Sequence, residues 1–230
     1  KNMIGDCSAD VVSSTVPCST KWMVGTVNSF YIGIIATVIA TALGTLAALG
    51  LSRPHMPYKG LIMAILISPM IVPLIITAAG MFFFYARINL VYTFTGVILA
   101  HVALATPFVV ITVTATLVGF DMNMVKAAQS LGAKPMRTFF KVIMPLILPG
   151  IISGALFAFI TSFDEVVVVM FMASIDQLTI PKQMWAGIRQ EISPVILCMA
   201  TCLVILSIVL LTTVELLRRR SEKLRGIKAR

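Results

Sequence analysis

Asp164 and Glu165 stand side by side in a stretch that is otherwise uncharged from Val142 to Ala173. A carboxylate in a membrane helix costs about 2.5–3.5 kcal/mol and persists where it meets water, a cationic partner or a passing cation. The chemistry open to such a pair is electrostatic recognition of a cation. Successive helical residues diverge by about 100°, so only one of two adjacent acids points squarely down a pathway. Asp164 is expected to face it, with Glu165 bonded to a neighbouring helix or the following external loop. The competing reading ties both acids to Lys182 or Arg189 to hold that loop. Thr161, Ser162 and Phe163 precede the pair and are candidates for lining the same pathway. The Phe163 ring offers either cation–π attraction or a face for lipid. His101, alone in the run Ile88–Phe120, reads as a neutral packing residue bonded to Thr106 or a carbonyl, or else as a proton relay. No Cys/His spacing fits a metal site, and no nucleophile is paired with a base, so no catalytic residue is assigned.

The elements that hold these residues are long and apolar. Hydrophobic residues make up 59% of the chain and charged ones 12%, outside the range of soluble domains. Uncharged stretches run Trp22–Ser52, Gly60–Ala86, Ile88–Phe120, Val142–Phe163 and Ile192–Val214. Each exceeds the roughly 20 residues needed to cross about 30 Å of hydrocarbon. Most are apolar all round, unlike the two-faced helices of a soluble protein. An all-α polytopic membrane domain follows, with spans expected at 24–51, 61–85, 92–119, 143–172 and 194–217.

Charge sets the orientation. Arg53 and Lys59 fall in the first loop, Lys126, Lys134, Arg137 and Lys141 in the third, and Arg218, Arg219, Arg220, Lys223, Arg225, Lys228 and Arg230 in the tail. The positive-inside rule puts these segments in the cytoplasm and residues 1–21 outside. The basic tail 218–230 reads as a contact for anionic lipid, not for nucleic acid. Cys7 and Cys18 lie outside, where a disulfide is permitted. Cys198 and Cys202 share a face of the last span and are expected to pack as small apolar residues.

Gly25, Gly33, Gly44 and Gly50 recur in the first span, where small residues let helices approach closely. Pro54 and Pro57 end it. Pro69 and Pro73 each remove a backbone donor from the second span, so a bend is expected there, as a pivot or as a tolerated kink.

Residues 121–141 form a compact polar insert. Asp121 is placed to cap a helix running to Leu131, with Met122, Met124, Val125, Ala128 and Leu131 on its apolar face. Gly132 sits where that helix should end in a left-handed residue. Pro135 opens a second helix, along which Met136, Phe139, Phe140, Ile143 and Met144 form an apolar stripe. The result is an amphipathic interfacial hairpin.

Lys126-Ala127-Ala128, three residues, Gly132, nine residues, then Val142-Ile143-Met144-Pro145 resembles the Glu-Ala-Ala loop of ABC-importer permeases. Lys126 stands where that motif has an acid. The resemblance implies that Lys126, Ala127, Ala128, Gly132 and Pro145 belong to a loop coupled to a separate cytoplasmic ATPase dimer, which binds the ATP and Mg. No Gly-x4-Gly-Lys-Ser/Thr phosphate loop occurs in this chain, which accords with ATP hydrolysis on another polypeptide. Ser162-Phe163-Asp164-Glu165, Leu178-Thr179-Ile180-Pro181, Met184-Trp185 and Ile188-Arg189 resemble the spermidine/putrescine-type branch. This branch implies import of a polyamine-like cation with a second permease subunit and an external solute-binding protein. It also implies a six-helix fold, with Trp22–Ser52 as the second helix and one helix expected upstream; a natural five-span chain is the alternative. An opine or other amine-bearing solute is the alternative, and a lone secondary transporter or channel a further one, although no internal inverted repeat is found.

Overall fold

The computed structural model describes residues 18–53, 56–118, 123–190 and 194–224. These residues are helical throughout their ordered elements: α1 Cys18–Leu51, α2 Lys59–Ile71, α3 Leu74–Arg87, α4 Phe94–Val118, α5 Asn123–Ser130, α6 Pro135–Thr138, α7 Met144–Phe163, α8 Val167–Met172, α9 Ile180–Gln190 and α10 Pro194–Leu224. A π-helical turn, Phe139–Ile143, joins α6 to α7. Four stretches are long and apolar enough to cross a membrane: Lys21–Leu51, Phe94–Val118, Pro135–Phe163 and Pro194–Thr213. The pair α2 and α3 supplies a fifth if taken together.

The core is a three-helix packing of α1, α4 and α7, with α4 in the middle. Glycine makes it possible. A Cβ on Gly44 would lie 2.6 Å from the Val109 Cβ, and one on Gly154 would lie 2.5 Å from the Thr112 Oγ1 and 3.0 Å from the Val109 Cα. Gly150 approaches Thr116 in the same way one turn earlier. Lipid offers helices no hydrophobic drive to associate, so close backbone packing of this kind holds the bundle. The sequence reading recognised small residues in α1 but not the Gly150-x3-Gly154 pair that meets α4. Gly50, grouped with the packing glycines, faces open space.

Three expected helices differ from what forms. The segment 61–85 forms two helices with a bend of 103° between them, at the prolines where a bend was expected. Pro73 has no N–H and forces Val72 into an extended conformation (φ −70°, ψ 135°), so α2 cannot continue. The second insert helix does not stand alone. It runs through the π-helical turn into α7, because the Met144 N–H reaches back five residues to the Phe139 carbonyl. That wider turn directly precedes Pro145, whose ring would crowd a regular ladder. The stretch 143–172, expected as one span, ends at Phe163 and restarts as α8.

Cys198 and Cys202 are exposed on α10, not packed. Their helix touches only α7 and α9 closely, so most of its surface is uncovered. Cys7, His55, Asp121, Met122 and the side chain of Cys18 fall outside the described residues.

Candidate functional site

α7 stops at Phe163 and Asp164 takes φ −90°, ψ 1°, a conformation common at helix ends. Its N–H donates to the Ile160 carbonyl at 3.0 Å and closes the last turn. Glu165 then starts the next helix: its Oε1 accepts the Val168 N–H at 2.9 Å. A carboxylate on an orphan first-turn donor satisfies a group that would otherwise be buried bare, and its charge suits a helix N-terminus. Glu165 is only 7% exposed. Its bond goes to the helix that follows it one turn ahead, not to a neighbouring helix or the following external loop as expected, because those first-turn N–H groups are the nearest unmet donors.

Asp164 is placed differently. It is exposed, and no group among the described residues bonds its carboxylate. With Leu74, Ile160, Thr161, Glu165, Val166 and Val167 it lines an open recess of about 390 Å³. Leu74 is the first residue of α3, so the break between α2 and α3 faces the break between α7 and α8. Thr161 and Asp164 share a helix face at i, i+3 spacing. The Thr161 hydroxyl has no partner among the described residues, whereas Thr106, Thr112 and Thr116 each donate to the carbonyl four residues back.

Ser162 and Phe163 turn the other way. Ser162 Oγ lies 2.8 Å from His101 Nδ1, with both residues buried. His101 therefore pairs with Ser162, while the Thr106 hydroxyl returns to the Val102 carbonyl at 2.6 Å. The Phe163 ring packs against Phe30 and Phe159, centroids 5.0 and 5.3 Å away. The ring is buried and off the recess wall, so it serves neither of the two alternatives, cation–π attraction or a face for lipid, in this arrangement.

Beyond α8, Asn28 donates to the Asp176 and Leu178 carbonyls at 2.8 and 3.0 Å, and Ser29 Oγ accepts the Ile180 N–H at 2.9 Å. These bonds strap the 173–179 loop to α1. Lys182 Nζ donates to the Ala173 carbonyl at 2.8 Å, and partial burial lowers its pKa from the ordinary value. Neither Lys182 nor Arg189 pairs with the acids among the described residues.

At the far end of α7, the hairpin closes on Gly132, φ 78°. The Gly132 N–H donates to Gln129 at 2.9 Å and the Ala133 N–H to Ala128 at 3.1 Å. That pair of bonds is a Schellman motif, with Ala128 three positions inside the end and Gly132 in the left-handed slot. The Ala-Ala-x3-Gly spacing thus has a local cause. Lys126 and Ala127 are exposed on the same short helix, and Pro145 is exposed in the first turn of α7. Leu131 and Met136 are bare, 89% and 71% exposed, while Val125 and Thr138 are buried between the two arms.

The family model for the binding-protein-dependent transport system inner membrane component matches residues 20–223. The chain belongs to that family. It is thus a multi-pass permease subunit of the inner membrane. Among its relatives is the spermidine/putrescine transport system permease protein PotC of Haemophilus influenzae, 30% identical over 85% of this chain and 76% of that protein. The putrescine transport system permease protein PotI of Escherichia coli is 28% identical over 84% and 75%. The trehalose transport system permease protein SugB of Mycobacterium tuberculosis is 32% identical over 64% and 54%. Two solved structures share the permease fold at 17% identity: an amino acid ABC transporter (TM-score 0.65, covering 88% of this chain and 94% of that one) and the MetNI methionine ABC transporter (TM-score 0.64, covering 94% and 100%).

Two features of this permease escaped the sequence. The helix break at Asp164 carried a signal, since an acid directly ahead of an apolar run is also a helix-start pattern. The Ser162–His101 bond carried none, for the two lie 61 residues apart.

Proposed function

We propose that this permease imports a polyamine-like organic cation into the cytoplasm as one of two membrane subunits of an ATP-driven transporter. The observation that carries the solute class is the free Asp164 carboxylate at a helix break, in a recess with no basic residue on its wall. Relatives named for spermidine and putrescine support the same class. Thr161, Asp164 and the backbone of the break line the pathway. Glu165 joins them on the recess wall, and Ser162 and Phe163 shape it from behind.

The hairpin lies on the cytoplasmic side, where Leu131 and Met136 offer bare apolar contacts to an ATPase dimer holding ATP and Mg. Loop 173–179 and α9 lie outside, towards a solute-binding protein. A second permease subunit, identical or related, completes the pathway, and lipid covers much of α10.

Uptake of labelled putrescine and spermidine by the assembled transporter in proteoliposomes tests this reading. Asp164→Asn should abolish uptake while subunits still copurify. Unchanged uptake kinetics in that variant would remove Asp164 from the pathway.

A further inference from the structure

We propose that the recess is a subsite for one primary ammonium group, which donates to the Asp164 carboxylate and the Thr161 hydroxyl, while Glu165 acts as a positioning residue and not as a ligand. This deepens the polyamine reading and rests on it for the solute only. The donor count is the first argument. Thr161 and Asp164 lie on one face of the α7 terminus, and both keep their oxygens free of protein partners. A primary ammonium carries three N–H donors and meets such acceptors directly. The C-terminal end of α7 adds the negative end of the helix dipole, which favours a cation within the last turn.

What the wall lacks is the second argument. A quaternary ammonium has no N–H and is recognised by aromatic faces. Leu74, Ile160, Glu165, Val166 and Val167 complete the wall without an aromatic ring, and the nearby Phe163 is engaged with Phe30 and Phe159. Among the described residues no basic side chain lines the recess to receive a solute carboxylate, which disfavours an opine or amino acid at this position. Glu165 is the third. Its Oε1 is committed to the Val168 N–H, and that bond fixes where α8 begins and so where Asp164 projects.

Ligand-observed saturation-transfer NMR on the assembled transporter in nanodiscs, without binding protein, tests the subsite with 1-aminobutane and tetramethylammonium as probes. The 1-aminobutane signal should appear and that of tetramethylammonium should not. Asp164→Asn should weaken 1-aminobutane by about 10-fold or more, as loss of a charged acceptor does, and Thr161→Val by about 2- to 10-fold. Glu165→Gln should stay within about threefold, since the amide oxygen still accepts from Val168, whereas Glu165→Leu should weaken binding in transporter that still assembles. Equal binding of both probes, or wild-type binding by Asp164→Asn, overturns the subsite. A Glu165→Gln loss as large as that of Asp164→Asn makes Glu165 a ligand and overturns its assignment. If 1-aminobutane behaves as expected but putrescine is not taken up, the polyamine reading falls and the subsite stands. If putrescine uptake continues in Asp164→Asn with unaltered 1-aminobutane binding, the subsite falls and the polyamine reading stands.

Discussion

His101 Nδ1 and Ser162 Oγ meet at 2.8 Å between α4 and α7, two residues before the helix breaks at Asp164. The bond anchors the α7 terminus from behind, while Glu165 anchors it from ahead through Val168. Asp164 projects from a segment held on both flanks. The imidazole is 1% exposed and its Nε2 has no partner among the described residues, so Ser162 is its one polar tie among them.

Removing either partner should therefore loosen the terminus without dissolving the bundle. Hydrogen bonds between membrane helices average about 0.6 kcal/mol and reach about 1.7 in double-mutant cycles. A cycle of His101→Ala and Ser162→Ala, read by reversible unfolding in bicelles, should give a coupling within that range. A coupling of zero would mean that the two side chains are neighbours only.

The bend between α2 and α3 gives a second prediction. The two helices are 13 and 14 residues long, each about 20 Å. At 103° their outer ends lie about 25 Å apart, against about 40 Å for a straight helix. Pro69→Ala with Pro73→Ala restores both missing donors. Spin labels at Lys59 and Arg87, both exposed, in a cysteine-free background should then report a longer separation. A distance that stays near 25 Å would assign the bend to packing of α3 on α8, not to proline.

Packing at the α4–α7 contact is testable through size. A methyl group at Gly154 meets the Val109 backbone at 3.0 Å as well as the Thr112 hydroxyl, and backbone cannot yield as a side chain can. Gly154→Ala should cost about 1–3 kcal/mol and lower the thermal midpoint of the purified permease. Gly50→Ala, which meets nothing within 4 Å, should be neutral or slightly stabilising. Equal effects at both positions would refute the close-approach account.

Much of this was legible from composition and local spacing, since lipid imposes its own grammar. Apolar runs must become helices, because no water is there to satisfy bare backbone. Gly132 announced a left-handed helix end through spacing alone, and Pro73 announced a bend. What local reading could not supply was direction. Thr161, Ser162 and Phe163 were equal candidates for the lining beside Asp164, yet only Thr161 joins Asp164 at the recess. Ser162 and Phe163 are claimed by His101 and by Phe30, residues brought near by tertiary packing. Glu165 was misassigned for a related reason: a long helix was assumed to continue, so its cap was not sought.

Gly132 carries the last prediction. Its φ of 78° costs an L-residue roughly 1–2 kcal/mol, and β-branching makes that region worse. Space is no obstacle, since a Cβ there would meet nothing within 4 Å; only the backbone conformation matters. Gly132→Val should break the two bonds to Ala128 and Gln129 and splay the arms that carry Leu131 and Met136. If the hairpin transmits ATPase closure, the variant should hydrolyse ATP with less solute moved per turnover in proteoliposomes. Gly132→Asn, which tolerates the left-handed region, should recover most of the loss. Full coupling in the valine variant would show that the turn does not set the hairpin's grip, and an equal loss in both variants would point to the exposed glycine surface itself.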